Sequence, residues 1–386
     1  MARWLAEQGH EVRVITAPPY YPEWAVHAGY TAGAYKREAW HGVDVIRCPI
    51  WVPRKVSGLK RLLHLASFAL SSLPVALAQF RWRPDVVWTV EPALFTAPGA
   101  LLAAKLSGAR SWLHVQDFEV DAAFAMGLLK GEGLRKLVLR CESWLLRRFD
   151  RVSTISYRML ELAARKGVEE DRLVHFPNWV DISGITPLQR PSSYRAELGI
   201  PQDAVVVLYS GNMGAKQGLE ILADTAHALS DDPRIFFILC GQGVGKDDLV
   251  QRCRDLVNVR FLPLQPVECL NELLGAADLH VLPQRADAAD LVLPSKLTGM
   301  LASGRAVIAT ADAATELGQV ILQWGTGELV PPEDGAALSE ALRRLADDPE
   351  RRRAMGHAAR GYAERELHAD TILGRLEEQL CVLNRR

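Results

Sequence analysis

The sequence predicts an α/β protein with two domains, each built on a parallel β-sheet. Apolar runs of strand length alternate with helical patterns along the chain. These runs are almost continuously apolar, which is typical of parallel strands covered by helices on both faces. The segment "NWVDISGITPLQRPSSYRAELGIP", with three prolines and two glycines, separates two sets of such runs. A chain of 386 residues is long enough for two domains of ordinary size.

Six predicted strands lie on each side of this segment. The first six are Val12–Thr16, Val43–Cys48, Val86–Val90, Ser111–Val115, Arg151–Ile155 and Leu173–Phe176. The second six are Val205–Tyr209, Ile235–Cys240, Val259–Leu262, Leu279–Leu282, Ala306–Thr310 and Gly327–Val330. We therefore expect a first domain over residues 1–180, a linker over 181–201 and a second domain over 202–368. Residues 369–386 form a predicted helix that returns to the first domain.

The chain opens on a helical pattern rather than on a strand. In "MARWLAEQGHEVRVIT", Trp4 and Leu5 have helical spacing and Gly9 lies where a helix would end. In an α/β domain such a helix normally follows a strand and a glycine-bearing turn. We therefore expect the first strand of the first sheet to be absent from this sequence, as in a truncated chain, which would leave strand edges exposed.

Composition narrows the function classes. The 45 Lys and Arg balance the 46 Asp and Glu, so no overall charge attracts nucleic acid. The six cysteines form no C-x-x-C pair, which indicates neither disulfides nor zinc and favours a cytoplasmic location. No two aspartates have D-x-D spacing, so the common Mg²⁺ or Mn²⁺ arrangement for holding a sugar diphosphate is missing. We expect no metal and no other cofactor.

One uncharged stretch, Leu62–Phe80, has 19 residues and approaches the length of a membrane span. Its histidine, serines and proline make it a poor span. Two readings remain open: a buried or partly buried helix, and an interfacial helix that contacts a membrane. Lysines and arginines on both flanks would attract the anionic cytoplasmic surface of a membrane.

The stretch "VVVLYSGNMGAKQGLEIL" predicts a phosphate site. A buried strand ends at Tyr209, a turn with Gly211 and Gly214 follows, and a helix is expected near Lys216. Backbone N–H groups at a helix start favour anions, and glycines allow a phosphate to approach closely. The alternative is an ordinary turn between strand and helix with a solvated lysine.

A second strand–loop–helix stretch strengthens this prediction. In "HVLPQRADAADLVLPSKLTGMLASGRAVIAT", Ser295 is placed to cap a helix and Lys296 lies in its first turn. A cation there opposes the helix dipole unless an anion binds nearby. Two such helix starts, each with a lysine, suit a diphosphate; the alternative is that Lys296 points into solvent. Between the two, "CGQGVGKDDL" fails the dinucleotide and P-loop fingerprints, so we interpret it as a flexible turn over the nucleotide.

In the first domain, polar residues cluster after a predicted strand. The stretch "SWLHVQDFEVDAAF" brings His114, Gln116 and Asp117 to the end of that strand, with Glu119 and Asp121 beyond. Ligands bind at the carboxyl ends of strands in such sheets, so we expect these residues to face a cleft between the domains. Asp117 is the candidate to orient or deprotonate an acceptor hydroxyl. The alternatives are helix capping for Asp117 and a core position for His114.

The chain resembles the retaining family 4 glycosyltransferases, which have the GT-B fold of two facing Rossmann-like domains. The resemblance spans nearly the whole chain and includes "GHEVRVIT", "GNMGAKQGLE", "VRFLPL", "AADLHVLP" and "PSKLTGMLASGRAVIAT". More narrowly, "TAPPYYPEW", "HVQDFEVDAAF" and "YSGNMGAKQGLE" are similar to exopolysaccharide enzymes assigned to colanic acid biosynthesis.

The resemblance implies a UDP- or GDP-linked sugar donor and a lipid-linked saccharide acceptor. It implies sugar or acceptor contacts around Gln116 and Asp117; together with His114 from the same cluster, these are the candidate catalytic residues. The residues that it implies for the donor are Gly211, Asn212, Lys216, Gln217, Gly241, Phe261, Leu262, Pro294, Ser295 and Lys296. The family's Glu-x₇-Glu pattern is absent, because its positions hold Leu291 and Gly299 here. Two alternative functions remain: a sugar-nucleotide epimerase of similar fold, and a truncated remnant that binds nucleotide without catalysis.

Overall fold

A computed structural model describes residues 1–21, 23–54, 58–91, 94–118, 132–214, 217–285 and 294–384. The chain divides into two compact units, Met1–Phe176 with Leu373–Arg386, and Pro177–Ile372. Both units combine helices with mainly parallel sheets. The predicted fold class is therefore confirmed, whereas the absence of a first strand stays a prediction.

The strands of the first unit form two sheets. One has the order β1-β3-β2 and contains β1 (Arg13–Thr16), β2 (Lys36–Trp40) and β3 (Val43–Arg47). The other is fully parallel, has the order β4-β5-β6-β7, and contains β4 (Val86–Glu91), β5 (Arg110–Val115), β6 (Arg151–Thr154) and β7 (Leu173–His175). Within the described ranges no ladder joins the two sheets, so β1 and β4 each lie at a sheet edge.

Strand β2 is the element that the sequence pattern did not predict. It pairs antiparallel with β3 through a turn at His41 and Gly42, whose φ angles are 47° and 80°. Positive φ at both central residues is typical of a tight hairpin turn. The sequence of β2, "KREAW", is mostly exposed and charged. It carries no apolar run because it lies at the edge of the sheet with little to cover.

The helices of the first unit are α1 (Ala2–Glu7), α2 (Gly58–Ala78), α3 (Ala97–Ser107), α4 (Glu132–Leu146) and α5 (Tyr157–Arg165). Helix α2 contains most of the uncharged stretch, and only His64 and Ser72 are buried in it. By length and composition, Gly58–Arg81 could cross a membrane, and 11% of its most apolar window is buried. Little of this apolar helix is therefore used in the core.

The second unit has one parallel sheet with the order β10-β9-β8-β11-β12-β13. Its strands are β8 (Val205–Asn212), β9 (Ile235–Gln242), β10 (Val259–Leu262), β11 (Leu279–Leu282), β12 (Ala306–Thr310) and β13 (Gly327–Val330). The central strands are buried almost throughout, as expected for strands with apolar residues on both faces. Strands β8 and β9 continue past the predicted ends and pair as far as Gly211 with Gly241 and Asn212 with Gln242.

Helices cover this sheet and include the predicted linker. They are α6 (Ser193–Glu197), α7 (Glu220–Ala228), α8 (Lys246–Arg252), α9 (Leu270–Gly275), α10 (Lys296–Ala302), α11 (Glu316–Gln323), α12 (Gly335–Asp347) and α13 (Pro349–Glu366). Residues 181–201 pack within this unit, where Arg195 donates to Asp278 (2.6 Å). The last helix, α14 (Ala369–Asn384), leaves the second unit after Ile372; its Glu377 and Asn384 bond His10 and Asp85 of the first unit.

Candidate functional site

The carboxyl end of β8 is shaped to admit a side chain from another element. Gly211 has a φ of 140°, which disfavours any residue with a Cβ. A Cβ at this position would lie 3.3 Å from Cδ and 3.6 Å from Nζ of Lys296. Glycine at 211 therefore leaves the space through which the lysine side chain passes.

Lys296, the first residue of α10, ends in a buried ammonium group. Its Nζ lies 4.1 Å from the centroid of the Tyr209 ring. Among the described residues this nitrogen has no hydrogen-bond partner. Burial lowers the pKa of Lys296 to about 7, because desolvation disfavours the charged form. The alternative that Lys296 points into solvent is therefore wrong.

The ring beneath Lys296 belongs to the buried Tyr209. Its hydroxyl donates to the carbonyl oxygen of Asn212 (2.6 Å), and burial raises its pKa. The aromatic face offers the ammonium an electrostatic contact, but a ring supplies no hydrogen-bond acceptor and no counter-charge. An anion placed beside Nζ would supply both.

The turn after β8 holds a second polar atom without a partner. Gln217 packs over Gly214, whose Cβ would lie 3.0 Å from the Gln217 amide oxygen. That oxygen is buried and accepts no hydrogen bond from the described residues. The predicted helix begins at Glu220, four residues later than Lys216. Lys216 itself lies outside the described residues, so its predicted role stays a prediction.

The loop before α10 differs in one detail from the sequence prediction. Ser295 occupies the N-cap position, but its side chain accepts no hydrogen bond from the helix. Its carbonyl oxygen instead accepts from the Thr298 hydroxyl (2.9 Å). Ser295 is exposed and Pro294 is half-buried. The Ser295 hydroxyl is thus not used within the helix.

The remaining donor residues predicted from the sequence lie in strands. Gly241 is buried within β9, where a Cβ would lie 2.0 Å from the Gly211 carbonyl oxygen. The interpretation of a flexible turn is wrong at this residue, which is glycine because two strand backbones approach closely. Phe261 and Leu262 are half-buried in the edge strand β10, and each packs against a core cluster. Their predicted contacts with a nucleobase remain predictions.

In the first unit, β5 carries His114 and continues into Gln116 and Asp117. The Gln116 amide nitrogen donates to His114 Nε2 (2.7 Å), and His114 Nδ1 lies 2.8 Å from the Ser153 hydroxyl. An Nε2 that accepts a hydrogen bond carries no proton, so the proton is on Nδ1, which donates to Ser153. Burial lowers the pKa of His114 to about 4. His114 is therefore neutral at pH 7 and placed to hold Gln116.

A stack of aromatic rings surrounds this histidine. Trp88 and Trp112 are stacked with centroids 5.0 Å apart, and Phe176 lies edge-on to His114 at 5.0 Å. The indole of Trp112 also donates to Ser153 (2.8 Å). His114 is therefore a buried core residue whose two ring nitrogens both have hydrogen-bond partners, which is the alternative that the sequence left open. Asp117 follows as a half-buried residue.

Sequence reasoning found Lys296 but missed Tyr209 as its partner. The tyrosine was visible only as the last residue of an apolar strand, and its ring contact depends on Lys296, the first residue of α10, reaching the end of β8. One sequence signal could have found it. An aromatic residue ends a strand, a glycine follows two residues later, and another helix of the same domain starts with a lysine.

Comparison with known proteins gives the family. Residues 1–179 match the model of the glycosyl transferase 4-like domain, and residues 192–362 match that of the glycosyl transferases group 1. The chain is 46% identical to the colanic acid biosynthesis glycosyl transferase WcaI of Escherichia coli (strain K12), over 97% of this chain and 92% of that protein. This match confirms the narrower resemblance read from the sequence.

Solved structures give the same fold. Sucrose-phosphate synthase from Thermosynechococcus elongatus superposes with a TM-score of 0.75 at 20% identity, over 99% of this chain and 92% of that one. Anabaena Alr3699/HepE in complex with UDP and glucose superposes with a TM-score of 0.67 at 18% identity, over 89% and 87%. The chain therefore belongs to the group 1, glycosyl transferase 4-like glycosyltransferases and has their GT-B fold.

Proposed function

We propose that this glycosyltransferase binds a nucleoside diphosphate sugar with its diphosphate beside Lys296. The observation that carries the proposal is the buried Lys296 ammonium, which lies over Tyr209 and has no counter-charge among the described residues. A diphosphate would supply that charge, and Gly211 leaves the space through which the lysine side chain reaches this position. The structures of HepE in complex with UDP and with UDP-glucose support a donor of this class.

The reaction proposed is transfer of the sugar to a hydroxyl group of a lipid-linked saccharide in exopolysaccharide biosynthesis. The likeness to WcaI supports this acceptor class. The bond from the anomeric carbon to the diphosphate oxygen breaks, and a bond to the acceptor oxygen forms with retained configuration. Lys296 stabilises the charge on the departing diphosphate. We propose that no metal takes part, and that the donor carries UDP or GDP.

The first unit would supply the acceptor side of the reaction. Asp117 is proposed to orient the acceptor hydroxyl or accept its proton, with Gln116 as a neighbouring hydrogen-bonding group. His114 acts through Gln116, because its Nε2 accepts from the Gln116 amide and its Nδ1 lies against Ser153. His114 is therefore a positioning residue in this proposal.

The direct test incubates the full chain with UDP- and GDP-linked sugars, each with and without a lipid-linked saccharide acceptor from an exopolysaccharide-producing bacterium. We expect free nucleoside diphosphate and a lengthened saccharide only when donor and acceptor are both present. Product formed without acceptor would instead indicate the epimerase alternative. Nucleotide binding by well-folded protein with no turnover of any donor would indicate the non-catalytic remnant.

We also propose that α2 contacts the cytoplasmic surface of the membrane that holds the acceptor. Leu59, Leu63 and Leu70 recur at helical spacing and are 69%, 52% and 71% exposed. The sequence from residue 45 to residue 84 contains no Asp or Glu. Its described, exposed cations are Arg54, Lys60, Arg61, Arg81 and Arg83. An apolar stripe flanked by cations favours an anionic lipid surface.

Replacing Leu63 and Leu70 by glutamate should weaken binding to phosphatidylglycerol vesicles by about tenfold or more, since the apolar contact is lost and like charge is added. Co-sedimentation with vesicles measures this, and binding to phosphatidylcholine alone should already be weak. Leu322→Glu is the matched control, because Leu322 in α11 is also 52% exposed. Equal vesicle binding by the double variant and the wild-type protein would contradict the contact.

A further inference from the structure

A cavity with four arginines in its lining lies in the second unit, at the opposite end of the strands from Lys296. It has a volume of about 580 Å³. Two of its lining residues, Asp278 and Arg305, immediately precede strands β11 and β12. All strands of this sheet are parallel, so these residues lie at the amino ends, whereas Gly211 and Asn212 end β8. The cavity is therefore separate from the proposed donor site.

Cations outnumber anions in the lining of this cavity. Arg305, Arg352, Arg353 and Arg360 line it, against the two carboxylates of Asp278 and Glu364. Both carboxylates already have partners, because Arg195 donates to Asp278 (2.6 Å) and Arg360 donates to Glu364 (2.6 Å). The lining thus contains positive charge that its own acids do not neutralise.

Arg305 has one buried hydrogen-bond donor that lacks an acceptor among the described residues. Its Nη2 donates to the carbonyl oxygen of Gly275 (3.2 Å), but its buried Nε has no acceptor among the described residues. Burial lowers the pKa of Arg305; the charge of Asp278 opposes this shift, and that of Arg195 adds to it. A buried N–H group without a partner is rare in native proteins and commonly marks an ion or water site.

Helix α13 brings the other cations to the same cavity. Arg353 and Arg360 are seven residues apart, close to two helical turns, and therefore lie on one face. Gly356 lies between them, and a Cβ there would come within 2.3 Å of the Gly304 carbonyl oxygen. Glycine lets the helix pass this close to the turn before Arg305. Arg353 is exposed and makes no hydrogen bond or ion pair with the described residues, so its guanidinium remains available.

We propose that this arginine cavity binds a small phosphate-bearing anion, at a site distinct from that of the nucleotide-sugar. Guanidinium groups present paired N–H donors that match the oxygens of a phosphate group. Arg305 and Arg353 would hold the phosphate, and Arg352 would add charge at the wall. The volume fits a small molecule rather than a polymer.

The test is thermal unfolding with increasing inorganic phosphate at constant ionic strength set with potassium chloride. We expect phosphate to raise the unfolding temperature of the wild-type protein. In Arg353→Gln and Arg305→Gln we expect at least about tenfold more phosphate to be needed, because each loses a charged hydrogen-bond donor. Arg353→Gln removes no hydrogen bond to any residue that the structure describes, so it keeps the test valid if Arg305→Gln unfolds.

Two controls decide between this site and others. Arg254→Gln, at a largely exposed arginine outside the cavity lining, should keep the full phosphate response. Lys296→Met removes any phosphate binding at the donor site, so the response that remains in this variant belongs to the arginine cavity. No response to phosphate in the wild-type protein, or an equal loss in Arg254→Gln, would overturn the proposal. A response that disappears in Lys296→Met but persists in Arg353→Gln would place phosphate at the donor site and also overturn it.

Discussion

Lys296→Met should weaken UDP or GDP binding by about 10- to 100-fold while leaving the empty protein at least as stable. The loss follows from removal of a charged hydrogen bond to the diphosphate. The stability follows because methionine keeps an apolar stem over Gly211 and Tyr209, and an unpartnered ammonium no longer has to be buried. Isothermal titration with each nucleotide, beside thermal unfolding of the empty protein, measures both effects.

Affinity in the wild-type protein should also depend on pH. The pKa of Lys296 in the empty site is lowered to about 7, so the lysine is charged below pH 7 and increasingly neutral above it. The diphosphate binds the charged form, so affinity should fall by up to about tenfold per pH unit above pH 7. In Lys296→Met this dependence should disappear.

Lys105→Met, at an exposed lysine of α3, is the matched control and should bind nucleotide as the wild-type protein does. If Lys296→Met bound nucleotide with undiminished affinity and an unchanged pH profile, the diphosphate would not lie beside this lysine. The proposed donor site would then be wrong at its central residue.

Gly241→Ala should destabilise the second unit by about 3 kcal/mol or more. The added Cβ would lie 2.0 Å from the Gly211 carbonyl oxygen, so β8 and β9 would have to move apart where they pair. For a unit of this size, that change corresponds to a fall of about 6–12 °C in unfolding temperature. Differential scanning calorimetry of the purified variant measures it directly.

The control is Gly361→Ala in the middle of α13, where a Cβ would meet nothing within 4 Å. Alanine there should stabilise the helix by about 0.5–1 kcal/mol. A Gly241→Ala protein that melts like the wild-type protein but has lost nucleotide affinity would show the opposite of our expectation. Gly241 would then be a binding residue, as the sequence resemblance implied, rather than a packing requirement.

Strands that consist almost entirely of apolar residues could be predicted from the sequence. The runs around Val207, Ile238 and Ile308 are apolar on both faces, and the sequence pattern predicts a strand at each of them. The hairpin strand β2 could not be found, because an edge strand that covers little core has no apolar run. The sequence prediction ends β8 and β9 too early, because Gly211 and Gly241 near their ends are residues typical of turns.

In the candidate site, too, some features could be predicted from the local sequence and others could not. Lys296 was predictable because a cation in the first turn of a helix conflicts with the helix dipole and needs an explanation. Its contact with Tyr209 was not predictable, since the two residues are far apart in sequence and meet only where the start of α10 lies beside the end of β8. The tautomer of His114 likewise depends on Ser153 and Gln116 together. Local patterns identify chemical groups, whereas tertiary contacts determine their protonation states.

The division of the first unit into two sheets bears on cooperativity. A single six-stranded sheet lets the second unit unfold as one body, but no ladder among the described residues couples β1 to β4. Helix α2 packs on β1 and on α3, and α3 packs on β4, so helix packing and not a strand ladder links the two sheets. The amide protons of the three-stranded and four-stranded sheets can therefore exchange at different rates. Both proposed anion sites lie in the second unit, so a ligand bound at either site should stabilise the six-stranded sheet rather than these two sheets.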